Sequence, residues 1–333
     1  MSDDFRPAFG MANPHVQTIW GRLTRSGPRM AVRREFLPTP DGDEIVLDHL
    51  EFEGSAAPRT LILHGLEGSS QSVYAQGFLK LFAARRLNVT AMNFRSCARD
   101  PKNNGKWIPN RGDRLYHSGE TSDIGFVIDT MTKRDGRPLN IIGASIGGNV
   151  TLKWLGENPG DPRVNRAAAL SVPVDLAACA DHLEKGRMGP FYTSIFLSTL
   201  KPKVAELAAR SPKVAELFDM KRALRARTFR EFDEAATARI HGFRNAADYY
   251  ARASSLPFLE RIATPTLLVN SADDPFIPPA VSAHLRGFNN GSGRAFRAEI
   301  TSSGGHVGFI AGSIWKPRFW VEERLVNWVA EGA

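Results

Sequence analysis

Along this chain the spacing of apolar positions changes twice. Residues 1–30 carry Pro7, Gly10, Pro14, Gly21 and Pro28, which interrupt any period, so the segment is expected to be irregular and to pack on the core that follows. Alternation begins near Arg33. Asp41-Gly42 lies between Arg34-Glu35-Phe36-Leu37 and Glu44-Ile45-Val46-Leu47, which predicts a hairpin, because this dipeptide accommodates the positive φ of a tight turn. Short apolar runs at 59–63, 88–94, 139–142 and 167–172 then alternate with helical periods over 74–86, 122–133 and 145–157. Strands separated by helices of this length imply right-handed crossovers and a mostly parallel sheet.

Between Pro173 and Ser255 the strand rhythm stops, and the chain is rich in Ala, Leu, Lys, Glu and Arg. Lys203-Val204-Ala205-Glu206-Leu207 recurs as Lys213-Val214-Ala215-Glu216-Leu217, too short a repeat for a solenoid. Strand patterns resume at 265–270 and 295–300, and a last helix ends near Val329. The expected architecture is α/β: a mostly parallel central sheet flanked by helices (31–172 and 256–333). A helical cap (173–255) is inserted after the sixth strand, over the carboxyl edge where open α/β sheets bind ligands.

Composition narrows the function. Hydrophobic residues make up 42% and charged residues 23%, ordinary values for a globular protein. The formal charge of +8 comes from 43 Lys+Arg against 35 Asp+Glu, but the arginines are scattered. Their densest stretch, Arg22 to Arg34, has no interleaved aromatic platform, so no nucleic-acid partner is expected. The charge reads first as a solvated basic surface and second as an attraction to an anionic membrane surface or an acidic substrate. Cys97 and Cys179 lack CxxC spacing, the eight histidines are dispersed, and no glycine-rich phosphate loop occurs; neither a metal nor a cofactor is expected. Met1-Ser2-Asp3-Asp4-Phe5 lacks a signal-peptide pattern, and no apolar run nears the roughly 20 residues that span a bilayer, so the expected location is cytoplasmic.

The chemistry-bearing residues follow strand ends. Gly143-Ala144-Ser145-Ile146-Gly147 comes directly after Ile141-Ile142 and opens a helical period with Val150, Leu152, Trp154 and Leu155. A serine on so sharp a strand-to-helix turn needs small neighbours, and the helix start offers free N–H groups to a developing oxyanion. Ser145 is therefore the expected nucleophile. Its acid and base should follow in that order. In Asn270-Ser271-Ala272-Asp273-Asp274-Pro275 either aspartate suits; Asp274 is favoured because the turn closes on proline directly after it, leaving Asp273 to cap a turn or helix. His306, between Gly304-Gly305 and Val307-Gly308, is the expected base, whereas His284 sits in a helical pattern and reads as a surface or packing residue. His64-Gly65-Leu66-Glu67-Gly68 ends the first long buried strand. A turn there aims the N–H of Leu66 at the nucleophile, making Leu66 and Ile146 the expected oxyanion donors and His64 a loop-orienting residue.

These segments, with Asn13-Pro14-His15-Val16-Gln17-Thr18, Asn93-Phe94-Arg95-Ser96-Cys97 and Tyr116-His117-Ser118-Gly119-Glu120-Thr121-Ser122-Asp123, resemble the YheT-type branch of the α/β-hydrolase fold, related to eukaryotic abhydrolase-domain lipases and esterases. The resemblance covers almost the whole chain in order. It implies a charge-relay set of Ser145, Asp274 and His306, and carboxylic ester hydrolysis, lipase action or acyl transfer to an alcohol. Ser96 departs from the glycine usual in the family, and the loop 98–113 is extended; both lie near the expected mouth.

The expected function is a cofactor-independent serine esterase acting through an acyl-enzyme on small esters with a short to medium apolar acyl chain. Phe191, Tyr192, Ile195, Phe196 and Leu197 are the candidate acyl pocket, with ordinary packing inside the cap as the alternative. Tyr116, His117 and Asp123 are expected to brace the loop after the fourth strand, with contact to the substrate as the alternative. Acyl transfer, lipase or thioesterase action on the same three residues is the nearest alternative. A non-catalytic binding protein on a retained fold is the contrasting one.

Overall fold

The computed structural model describes residues 5–25, 28–289, 295–313 and 315–331. The acidic start Met1–Asp4, on which the expectation of a leaderless chain rests, lies outside the described residues. The first departure from expectation comes early: within the segment read as irregular, Pro14–Thr24 form a helix, α1. The Asn13 side chain accepts from the N–H groups of His15 and Val16, and Pro14 occupies the first helical turn, where a missing N–H costs nothing. The proline that interrupts the hydrophobic period is here a helix starter.

Gly42, at φ +80°, turns the chain between β1 (Arg33–Pro38) and β2 (Glu44–Leu50), which pair antiparallel with Leu37 opposite Ile45. There follow β3 (Thr60–Leu63), α2 (Val73–Ala84), β4 (Val89–Asn93), α3 (Thr121–Asp135), β5 (Leu139–Ala144), α4 (Ile146–Glu157) and β6 (Val164–Leu170). Between β6 and the next strand come α5 (Leu176–Lys185), α6 (Gly189–Arg210), α7 (Pro212–Ala215), α8 (Met220–Arg225), α9 (Phe229–Phe232), α10 (Ala238–Ile240) and α11 (Ala246–Ala253). The core resumes with β7 (Thr266–Ser271), α12 (Pro279–Arg286) and β8 (Phe296–Thr301), then a small hairpin of β9 (Ile310–Gly312) and β10 (Pro317–Phe319), and ends in α13 (Trp320–Ala330).

The main sheet has the order β1-β2-β4-β3-β5-β6-β7-β8, parallel from β4 to β8. Strands such as β3 and β7 are buried along their whole length, as continuous apolar runs require when both faces are covered. One face packs Ile124 and Val127 of α3, Val150 of α4 and Leu285 of α12; the other packs Phe78 and Phe82 of α2 with Leu325 and Val329 of α13. The helical insertion has two small cores of its own, one around Leu197, Val204, Leu207 and Phe232, the other around Leu176, Phe243, Tyr249 and Tyr250. Buried Asn149 fastens its return to the sheet: its amide donates to Ser118 O (2.7 Å) and Ala253 O (2.8 Å) and accepts from Ser255 N–H (2.9 Å). Among the described residues, no helix is long and apolar enough to cross a membrane.

Candidate active site

Ser145 stands between β5 and α4 at φ +53°, ψ −122°, a conformation costly for a residue with a Cβ. Its N–H donates to Leu170 O at 2.7 Å, locking the turn to the neighbouring strand. Space explains the glycines around it. A Cβ on Gly143 would lie 2.4 Å from Gly147 O, and one on Gly147 would lie 2.5 Å from His64 O. The turn can therefore be this sharp only with glycine at both places.

The loop after β8 brings His306 to this serine. Its Nε2 lies 3.0 Å from Ser145 Oγ, and its Nδ1 lies 2.9 Å from Asp274 Oδ2. With Nδ1–H donating to the carboxylate, the Nε2 lone pair faces the serine hydroxyl. Asp274 Oδ1 accepts from the N–H of Phe276 at 2.8 Å, which fixes the carboxylate plane. Asp273 makes a different contact: its Oδ1 accepts from Gly305 N–H at 2.9 Å, holding the start of the histidine loop instead of the imidazole. His284 is exposed on α12 and meets Phe288 edge-on.

The turn after β3 is oriented by its own histidine. His64 Nε2 accepts from Phe94 N–H (3.0 Å), so Nδ1 carries the proton and donates to Gly65 O (2.7 Å). Burial pushes this imidazole down to about 3, so it stays neutral. In a trans peptide the N–H points opposite to the carbonyl, so fixing Gly65 O also fixes the direction of Leu66 N–H. Gly65 sits against the serine, where a Cβ would lie 3.1 Å from Ser145 Cβ. Among the described residues, the N–H groups of Leu66 and Ile146 donate to no protein acceptor.

Glu67, the next residue, is held at φ +56° from several sides. Its N–H donates to Tyr116 Oη (2.8 Å), and Tyr116 Oη–H donates back to Glu67 Oε1 (2.9 Å). Lys203 of α6 reaches the same oxygen at 2.8 Å, with side-chain exposures of 1% and 6% for the lysine and the glutamate. An ion pair this dry binds the insertion directly to the turn beside the serine.

A sequence profile described as the α/β hydrolase fold matches residues 58–313. "Putative esterase YheT" of Escherichia coli (strain K12) is 35% identical over 331 residues, covering 98% of this chain and 93% of its own. The chain belongs to the YheT-type branch of the α/β hydrolases. "Phospholipase ABHD3" of Homo sapiens is 28% identical, over 90% of this chain and 71% of that one. Among solved structures, the Pyrococcus furiosus esterase Pf2001 shares the fold with a TM-score of 0.55 at 13% identity, covering 92% of this chain and 99% of that one.

In this YheT-type hydrolase the histidine loop is propped by a helix that the hydrophobic pattern did not disclose. Thr18 Oγ1 of α1 accepts from His306 N–H at 2.9 Å. Gln17 donates to Met11 O (2.8 Å) and Ile310 O (3.2 Å) and accepts from Ile310 N–H (2.7 Å). Gly308 presses on the same helix, since a Cβ there would lie 2.3 Å from Gln17 O. His15 Nδ1 lies 2.9 Å from Tyr192 Oη, so α1 also touches the insertion. The only signal for these roles in the sequence is the block Asn13–Thr18, which marks the family without saying what it holds.

The aromatic residues of the insertion divide. The Phe276 ring lies 4.2 Å from the His306 imidazole, and Tyr192 and Phe196 pack on Phe276 at 4.7 and 6.1 Å. Leu197 instead belongs to the insertion's own core, and Phe191 is 48% exposed. Asp123 pairs with Arg95 (2.8 Å) and Arg114 (2.9 Å). His117, pushed down to about 4 by burial, packs against His241, Phe243 and Tyr249 where the core meets the insertion. The two departures from the family pattern touch each other: Ser96, at φ +59°, donates its hydroxyl to Asn110 Oδ1 and accepts from Asn110 N–H (3.0 Å), and Asn110 lies in the extended loop. That loop in turn rests on α6, with Trp107 Nε1 donating to Glu206 at 2.7 Å.

Proposed function

We propose that this hydrolase cleaves carboxylic esters with Ser145 as nucleophile, His306 as base and Asp274 as the acid that orients it. The supporting observation is the unbroken contact from Asp274 through His306 to Ser145, at 2.9 and 3.0 Å. Ser145 Oγ adds to the ester carbonyl carbon while its proton passes to His306 Nε2. Asp274 keeps Nδ1–H in place and stabilises the imidazolium; it takes no proton itself. The oxyanion is received by the N–H groups of Leu66 and Ile146, each such donor being worth roughly 10²–10³ in rate. Collapse expels the alcohol, protonated by Nε2–H, and leaves an acyl-serine. Water, deprotonated by the same nitrogen, then releases the acid.

The helical insertion acts in this reading as a cap, and Phe276, Tyr192 and Phe196 form an apolar wall for a short to medium acyl chain. Relatives named as an esterase and a phospholipase fit a small-molecule ester as the substrate class. Labelling by a fluorophosphonate probe, abolished in Ser145→Ala, is the expected result; a wild-type protein that does not label rejects the enzyme reading. A graded series of p-nitrophenyl esters then measures the wall. Turnover independent of chain length counts against it, and an added alcohol that diverts product to a new ester identifies acyl transfer.

A further inference from the structure

The amino-terminal segment, α1 and the β9–β10 hairpin form one packed unit. Ala8, Met11 and Ile310 are its core, with Val16, Trp20 and Phe319 against them, and Ala8 N–H donates to Ile310 O at 2.9 Å. This unit leaves three large apolar side chains in water. Phe9, next to Ala8, is 96% exposed; Trp315, between β9 and β10, is 90% exposed; Leu23, in the last turn of α1, is 76% exposed. Other large apolar side chains at the surface, such as Phe36 at 45% and Leu217 at 46%, keep half or more of their area covered. Single exposed apolar residues are ordinary, but three on one small unit call for a partner.

Charge identifies the kind of partner. Residues 5–34 include six arginines and no aspartate or glutamate, and residues 300–319 include Lys316 and Arg318 with no acid. Glu322, Glu51 and Asp48 engage Arg25, Arg33 and Arg34, and Arg318 lies 3.6 Å from Glu323. Arg6, Arg22, Arg29 and Lys316 are exposed and make no ion pair among the described residues. Protruding aromatics beside unpaired cations are what a protein needs to lie on anionic lipid: the rings enter the boundary of headgroups and acyl chains, and the cations meet phosphates. A second copy is disfavoured on the same grounds, because a two-fold contact would set this cationic patch against itself.

We propose that this face docks on the surface of an anionic phospholipid bilayer through Phe9, Leu23 and Trp315, with Arg6, Arg22, Arg29 and Lys316 on lipid phosphates. The unit is the one that seats the His306 loop through Thr18 and Gln17, so docking sets that loop beside the membrane. Delivery of a lipid ester to Ser145 rests on the proposed function; the docking itself does not.

Co-sedimentation of the full chain with vesicles of phosphatidylcholine, with and without phosphatidylglycerol, tests this. Binding to the anionic vesicles is expected at low salt and should weaken at high salt. The double variant Phe9→Ala/Trp315→Ala should bind at least about tenfold more weakly, with unchanged turnover of a soluble p-nitrophenyl ester. Arg22→Glu/Lys316→Glu should lose the preference for anionic lipid. Wild-type protein left in the supernatant with anionic vesicles overturns the inference, as does an apolar double variant that binds as well as wild type. A concentration-dependent dimer that disappears in that variant, with no vesicle binding, assigns the face to a second copy and also overturns it. Vesicle binding by a protein inert toward soluble esters would sink the esterase reading and leave the docking face standing.

Discussion

Ser96 occupies a left-handed conformation that costs a residue with a Cβ about 1–2 kcal/mol, which is why glycine is at ease there. Its hydroxyl offsets that cost through two contacts with Asn110, each worth roughly 0.5–1.5 kcal/mol. Ser96→Gly relieves the strain and loses the contacts, whereas Ser96→Ala keeps the strain and loses them too. Urea unfolding should therefore rank wild type first, glycine next and alanine last, with alanine about 2 kcal/mol below wild type; glycine below alanine would show that the strain is negligible. The two neighbouring aspartates make a second comparison. Asp274→Asn should lower kcat by about 10³–10⁴, as loss of the tautomer-fixing acid does in serine hydrolases, while Asp273→Asn, which weakens only the brace on Gly305, should cost about tenfold or less. The reverse order in an ester assay would move the acid to Asp273. That Ser145, Asp274 and His306 come together could be read from the sequence, because each sits in a short motif whose glycines and prolines describe its turn. Thr18 could not, because its contact with His306 spans 288 positions and a threonine in a helix carries no mark of what it will face.

The elements differ in the same way. Periodicity was enough for the strands and long helices of the sheet, since each buries a face with its own repeat. It missed α1, where the cap Asn13-Pro14 was a better guide than the interrupted hydrophobic pattern, and it missed β9 and β10, whose three residues apiece are too few to show alternation. The link from α6 to the turn after β3 is likewise invisible until Lys203 and Glu67 are seen together. Breaking a buried pair by removing one partner costs about 3–5 kcal/mol because a lone charge is left in the interior, while removing both charges can be nearly neutral. Lys203→Met should therefore lower stability by that amount, and Lys203→Met/Glu67→Gln should recover at least half of it. If the pair also steadies Leu66 N–H, the single variant loses kcat about tenfold at nearly constant KM. Unchanged kcat in a folded Lys203→Met protein would restrict the pair to a structural part.

At the scale of the whole molecule, the insertion carries an acid that opposes its own folding near neutral pH. Asp233 is enclosed beside Tyr250, whose hydroxyl donates to it at 2.7 Å, and burial pushes its carboxyl up to about 6. The folded chain therefore holds this proton more tightly than the unfolded one. The stabilisation is complete below about pH 4 and is lost as pH rises through 6. Asp233→Asn should be more stable than wild type at pH 7, by on the order of 2 kcal/mol, with the difference vanishing near pH 4. Urea midpoints of both proteins across that range test it, and a constant difference would place the cause elsewhere. The seat of α1 has a consequence in time. Thr18 and Gln17 are synthesised before any strand of the sheet, yet they dock on His306 and Ile310, which come after β8, the last strand of that sheet to be made. Until those residues emerge from the ribosome, the first-made helix lacks this seat and Ser145 stands without the imidazole beside it. The contact between Ser145 and His306 therefore closes only after every strand of the main sheet has been made.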